Sequence, residues 1–216
     1  NMRNEAAILA ARRSKDKIDM DDISEAALMV KLGPEKRRLQ SDYERKLTAY
    51  HEGGHAVVGH MLPGADPVHR VSIVSRMRSL GQTLAMPDRD KYQQTKDELV
   101  DQLAMVMGGR AAESLVFDEM TVGAASDIEK ATRLARKMVV DWGMTELGPV
   151  ALGPMWESTD LGRSYMEPVQ ISEDMKGKVD KEIKKLVDTA LDKAEEVLRN
   201  NRDKLDKLVD VLLERE

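Results

Sequence analysis

Five consecutive residues, His51-Glu52-Gly53-Gly54-His55, constrain the fold of this chain more than any other part of it. Two imidazoles four positions apart meet on one face only if the backbone between them is α-helical, where residues i and i+4 project side by side. The surrounding stretch from Arg45 to Met61 carries an amphipathic helical pattern, so the spacing predicts a helix there. His51 and His55 are then candidate ligands of one cation. Glu52, on the adjoining stripe, is placed to reach a water molecule beside that ion and to act as general base and then acid. This is the division of labour of zinc hydrolases that carry the H-E-x-x-H pattern. His60 lies about 180° around the same helix from His51, and His69 falls beyond Pro63 and Pro67. Both read as surface or structural residues.

Composition limits the alternatives. The 216 residues fit one domain, or one domain with a small appendage, and include one Phe, two Trp and four Tyr against fourteen Met. The core must therefore be built from aliphatic side chains and Met. No Cys is present, so disulfides and thiolate sites are excluded and any ion must be held by His and carboxylate. A net charge of −5, with acidic and basic residues interleaved, gives no footprint for nucleic acid. No apolar run approaches the roughly 20 residues that span a bilayer and no signal peptide is visible, so the chain as given reads as soluble.

Along the chain, Met2 to Arg13 reads as a helix, and a second follows Asp21 and Asp22 and ends at Gly33-Pro34. Residues 35–42 are charged and aperiodic, which marks a linker between an N-terminal piece, residues 1–34, and the main domain, residues 43–216. Val68 to Val74 alternates, with Val71 and Ile73 inward, and Gln82 to Met86 gives a second extended run, together a small β element. Thr95 and Glu98 are spaced as a capping box opening a helix that runs to Gly108-Gly109, and Arg110 to Phe117 reads as a further short helix. Ser126 and Glu129 are spaced as another capping box, which sets Asp127 at the first helical position, and Gly143 closes that helix. The Gly- and Pro-containing stretch from Gly148 to Ile171 reads as a mobile loop. Ser172 to Glu216 reads as two helices packed as an antiparallel hairpin with a break at Asn200-Asn201. The fold class expected is mainly α, with a small β-hairpin and a C-terminal helical hairpin.

A catalytic zinc usually takes three protein ligands and leaves the fourth position to water. With no Cys, the third ligand must be a carboxylate, and Glu113 and Asp127 are the two candidates. Asp127 is preferred because a ligand held at a helix start has little side-chain entropy to lose. The competing readings are an acceptor for a ligating His at Glu113, and a favourable first-turn charge at Asp127.

Four segments together resemble the FtsH family of membrane-anchored, ATP-dependent zinc proteases: Ala49 to Ala56, Met107 to Glu113, Val122 to Thr132, and Trp142-Gly143-Met144 with Leu147-Gly148-Pro149. Their order and spacing are similar to the peptidase domain of that family from about Asp42 to the C-terminus. The resemblance implies zinc held by His51, His55 and Asp127, with Glu52 as the catalytic residue, and favours Asp127 over Glu113. It implies that the first segment is the end of an ATPase lid. The ATPase core, with its ATP and Mg²⁺, is expected in a part not included here, since no G-x-x-x-x-G-K-[ST] loop occurs. It further implies cleavage of unfolded or membrane proteins, a homo-hexamer, and a cell inner membrane or equivalent organelle membrane with this domain on the cytoplasmic side, membrane contact being made only by N-terminal segments not included here. Two departures stand out: Gly53 where the family usually has Ala, and Ser75-Arg76-Met77-Arg78 where it usually has a Pro-Arg-Gly turn. The run Gly81, Gln82, Thr83, Leu84, Ala85 and Met86 is a candidate strand for aligning substrate by strand addition. A non-catalytic helical scaffold or chaperone-like relative is the alternative, and such a protein has no use for the His, His, Asp and Glu constellation.

Overall fold

Helices α3 and α4 cross so closely that their glycines leave no room for a methyl group. A Cβ on Gly54 of α3 (Asp42–Met61) would lie 2.3 Å from the carbonyl oxygen of Gly108 in α4 (Lys96–Phe117). The computed structural model describes residues 1–35, 41–76, 80–87, 91, 93–153, 155–158, 164–167 and 171–215. Met77 and Arg78, and with them the expected hairpin turn, lie outside the described residues.

Among these residues the chain is mainly helical, as expected. Helices α1 (Met2–Arg12) and α2 (Met20–Leu32) pack on each other around Ala6, Leu9 and Ala26, a small core of their own. An Asp19–Asp22 capping box opens α2. A Ser41–Glu44 capping box starts α3 at Asp42, a few residues earlier than its apolar pattern indicates, so the end of the expected linker is helical. Strands β1 (Val68–Ser72) and β2 (Gln82–Ala85) pair antiparallel, with Val71 opposite Thr83 and an irregularity between Val68 and Arg70.

Two readings of the middle of the chain are corrected. Helix α4 does not stop at Gly108-Gly109 but runs unbroken to Phe117. Glycine weakens an isolated helix by about 1 kcal/mol per residue, yet here both glycines are where α3 presses against α4, and packing overrides propensity. Helix α5 (Ala125–Val140) has no Ser126 cap; its N-cap is Ala124. A 3₁₀ turn, Val122–Ala124, capped by Thr121 through the Gly123 N–H, feeds directly into α5, and its Val122 carbonyl takes the Ala125 N–H. Asp127 is thus the third residue of α5, not the first, although still in the first turn. Gly143, in the left-handed region at φ 59°, follows the end of the helix.

The expected loop from Gly148 to Ile171 contains an antiparallel pair, β3 (Met155–Ser158) with β4 (Ser164–Glu167). Residues 154, 159–163 and 168–170 of that stretch lie outside the described residues. Helices α6 (Glu173–Asn200) and α7 (Arg202–Arg215) meet at Asn201, where the expected break lies. The two do not pack along each other as the expected antiparallel hairpin: α6 packs on α4 and α5, while the main partner of α7 is α3, because each apolar face finds the core rather than its neighbour. The core between them is aliphatic, with Val58, Leu99, Leu103, Met138, Leu198, Leu205 and Val209 buried. The single Phe, Phe117, meets Tyr43 and Tyr50 edge-on at 5.7 and 5.5 Å between ring centres.

Candidate metal centre

The tight α3–α4 crossing sets the histidines against α4. A Cβ on Gly109 would lie 2.5 Å from Cε1 of His51 and 2.6 Å from Nε2 of His55, so only glycine admits both rings here. His51 Nδ1 lies 2.7 Å from Glu113 Oε1, and His55 Nδ1 lies 2.8 Å from the carbonyl oxygen of Met105. A backbone carbonyl can only accept, so Nδ1 of His55 carries its proton and donates it to Met105. The Gly109 N–H approaches the same ring nitrogen at 3.3 Å, a longer contact that does not alter this assignment. By the same logic His51 Nδ1 donates to the carboxylate of Glu113. In the neutral form of each ring, the form a metal ligand takes, Nε2 is then the nitrogen with the free lone pair, and the two Nε2 atoms stand side by side.

Asp127 completes the cluster. Its Oδ2 lies 3.2 Å from His51 Nε2 and 3.4 Å from His55 Nε2, and the two Nε2 atoms are 3.2 Å apart. Ligands at 2.0–2.1 Å on a tetrahedral ion stand about 3.3 to 3.4 Å from one another, so this spacing and this N, N, O donor set fit zinc. Oδ1 of Asp127 is turned away, held by Lys130 Nζ at 2.9 Å. Glu113 belongs to the surroundings of the cluster. It is fully buried, accepts from His51 through Oε1, and through Oε2 accepts from the Thr121 hydroxyl at 3.0 Å and backbone N–H at 3.3 Å. The turn that leads to Asp127 is thereby tied to the group that orients His51.

Electrostatics match this geometry. Burial works against a charged His51 ring, but the hydrogen bonds to Asp127 and Glu113 outweigh it and push the pKa up to about 9. Burial would raise Asp127, and its contacts with His51 and His55 overcome this and hold it well below the usual carboxylate range. Glu113 is likewise lowered, burial again being outweighed by His51 and Thr121. Glu52 goes the other way: it is buried, and the loss of hydration raises its pKa against the opposing pull of the two histidines. A carboxyl shifted upward beside the candidate ligands is suited to take and return a proton.

The cluster opens into a cleft of about 880 Å³ whose wall includes Gly81, Gln82, Thr83, Leu84 and Ala85. Met86, the last residue of the candidate substrate strand, is not part of that wall; its backbone N–H bonds Pro67 O on the side of β1. Gly81 and Thr83 instead touch Glu52 directly. A Cβ on Gly81 would lie 2.7 Å from Glu52 Cγ, and the Thr83 hydroxyl lies 2.8 Å from Glu52 Oε2. Sequence reasoning names Thr83 only as part of the candidate substrate strand and misses its bond to Glu52, as it misses Thr121 and the Met105 carbonyl, contacts that only tertiary folding creates. The Gly108-Gly109 pair was the visible sign, since two glycines inside a strong helical pattern mark a close approach. His60 is exposed, and His69 Nε2 lies 3.2 Å from the Met86 carbonyl oxygen on the hairpin.

A mainly helical domain with an H-E-x-x-H helix and an Asp completing a zinc-like donor set defines a metallopeptidase class, and comparison with known proteins makes it specific. Residues 38–216 match peptidase family M41. Over its whole length the chain is 49% identical to the ATP-dependent zinc metalloprotease FtsH of Pseudothermotoga lettingae, of which it covers 35%. It is 47% identical to FtsH 3 of Symbiobacterium thermophilum, of which it also covers 35%, and 47% identical to FtsH of Thermotoga maritima, of which it covers 36%. The chain belongs to the FtsH family of ATP-dependent zinc metalloproteases and contains its M41 peptidase domain. It spans about a third of the length of these curated relatives.

Proposed function

We propose that residues 43–216 are the zinc-dependent endopeptidase domain of an ATP-driven protease, with His51, His55 and Asp127 as metal ligands and Glu52 as general base. The observation that carries this reading is the 3.2, 3.2 and 3.4 Å triangle of Nε2, Nε2 and Oδ2 atoms, at a spacing set by tetrahedral coordination. A zinc ion held there would supply Lewis acidity toward the scissile carbonyl and toward water. Glu52 takes the proton of the attacking water and returns it to the leaving amine, so nothing covalent forms with the protein. Glu113 and the Met105 carbonyl hold the two imidazoles in the tautomer that leaves Nε2 free. The outer edge of β2, unpaired among the described residues, faces the cleft and is suited to align an extended chain through its backbone, which favours unfolded substrates with little side-chain selection.

On the same reading, α1 and α2 are the end of an ATPase lid, the assembly is a homo-hexamer, and the substrates are unfolded or membrane proteins delivered by the ATPase. Residues 35–42 join the lid to the peptidase. No helix among the described residues is long and apolar enough to cross a membrane. The test is metal content in protein purified without added zinc. About one zinc per chain is expected, and Asp127→Ala, which removes one of three ligands, should lose it. Wild-type protein that binds no zinc, or an Asp127→Ala variant that keeps it, contradicts the assignment.

A further inference from the structure

Glu52 is held by the strand opposite it, and the holding group is a hydroxyl. Thr83 stands in β2 directly opposite Val71, on the face turned toward the core, and its Oγ1 lies 2.8 Å from Glu52 Oε2 and 2.9 Å from the Glu52 carbonyl oxygen. A hydroxyl has one proton to give. The ionised carboxylate is the stronger acceptor, so the proton goes to Oε2. Gly81, two residues earlier, closes the other side: a side chain there would run into Cγ and Oε1 of Glu52 at 2.7 and 2.8 Å. Among the described residues no donor reaches Oε1.

We propose that Thr83 is a positioning residue for the reaction: its hydroxyl occupies Oε2 and fixes the side chain of Glu52, so that Oε1 is the oxygen that accepts and returns the proton. This rests on the general-base reading of Glu52. The arrangement needs no change during turnover, because Oε2 can accept from Thr83 both when Glu52 is a carboxylate, where the bond is stronger, and when it is an acid protonated on Oε1. It also makes β2 serve twice. Its outer edge is free for an extended substrate, while the inward side chain of the same strand orients the base, so backbone pairing and proton transfer are set by one element.

Thr83→Val keeps the branched side chain and the strand backbone but removes the donor. Thr83→Ser keeps the donor and removes a methyl group. With an unfolded, labelled protein as substrate, Thr83→Val is expected to lower kcat on the order of ten- to a hundredfold. KM should stay within about twofold and zinc content should not change, since neither the strand edge nor a ligand is touched. Thr83→Ser should restore most of kcat. A turnover-free reading is the affinity for a peptide hydroxamate, whose hydroxyl proton Glu52 would accept. Affinity should fall on the order of tenfold in Thr83→Val and in Glu52→Gln, and recover in Thr83→Ser. Unchanged hydroxamate affinity or kcat in Thr83→Val, zinc loss in that variant, or failure of Ser to restore would overturn the proposal. Glu52→Gln separates the two levels. If it is inactive while Thr83→Val is normal, only the role of Thr83 fails; if it cleaves like wild type, the general-base reading fails first.

Discussion

At the scale of single residues, the site is a set of charges that stabilise one another only while buried together. His51 shows this most directly. Its folded pKa of about 9 exceeds the 6.5 of a free imidazole, so the protonated ring stabilises the zinc-free fold. That contribution is complete below pH 6.5 and is lost as pH rises through 9. Asp127 and Glu113 are shifted down, so their contribution is present above ordinary carboxylate values and is lost only in acid. These shifts describe one interaction seen from its partners and do not add. Urea midpoints of zinc-free protein should therefore fall between pH 6.5 and pH 9, while zinc-loaded protein, with His51 Nε2 occupied, should not show that slope. A zinc-free chain with a flat profile over this window would contradict the buried His51–Asp127–Glu113 network. At this scale the sequence was informative because His51, Glu52 and His55 are related by helical geometry alone. The third ligand was less so: two carboxylates were open, and resemblance favoured Asp127. The bonds of Thr83 and Thr121 to Glu52 and Glu113 left no signal, because nothing in their local sequence says which buried carboxylate they will meet.

At the scale of elements, the α3–α4 contact decides the fold, and adjacent glycines in it have different reasons. Gly54 faces backbone: a Cβ would meet the Gly108 carbonyl carbon and oxygen at 2.9 and 2.3 Å, and backbone cannot yield cheaply. Gly53 faces α7, where a Cβ would meet Leu205 Cδ1 at 3.1 Å and Val209 Cγ2 at 3.4 Å, the ends of side chains. Gly54→Ala should therefore destabilise by about 2 kcal/mol or more through overpacking. Gly53→Ala should stay within about 1 kcal/mol of wild type, because the gain in helix propensity offsets a small shift of Leu205. Denaturant unfolding of both variants checks this, and equal losses would contradict the assignment of the two faces. The elements misread from sequence share one cause. Gly108-Gly109 reads as a break on propensity alone, without its packing partner, and the Ser126 spacing reads as a cap because the preceding 3₁₀ turn leaves no local signal. The β3–β4 pair was missed because two four-residue strands among Gly and Pro leave no measurable period. By contrast, the Thr95–Glu98 box and the Asn200-Asn201 break rest on local chemistry and are where the sequence puts them.

At the scale of the whole molecule, two cores are joined at a buried arginine. Arg76, after β1, donates to Glu25 of α2 at 2.9 and 3.0 Å, to Glu35 at 3.2 Å and to the Gly33 carbonyl at 3.5 Å. Glu35 and Arg76 also form an isolated antiparallel bridge. Glu25 is partly and Glu35 largely exposed, so removing Arg76 costs the lost contacts between the two cores more than a stranded charge. Arg76→Ala should therefore let α1 and α2 melt ahead of the rest, giving two calorimetric transitions where wild type gives one; a single unshifted transition would show that Arg76 does not couple them. Arg76, the one residue this stretch shares with the family's usual Pro-Arg-Gly turn, thus ties the N-terminal helices to the segment that follows β1. Leu80, Gly81 and β2 border the cleft where Glu52 lies, which brings the whole-molecule account back to the chemistry it supports. Its central claim is that Glu52 moves the proton while His51, His55 and Asp127 hold the metal. The most direct measurement compares wild type and Glu52→Gln for zinc content and for cleavage of an unfolded, labelled protein. Unchanged zinc with cleavage lost is the predicted result, and equal cleavage by the two forms would contradict it.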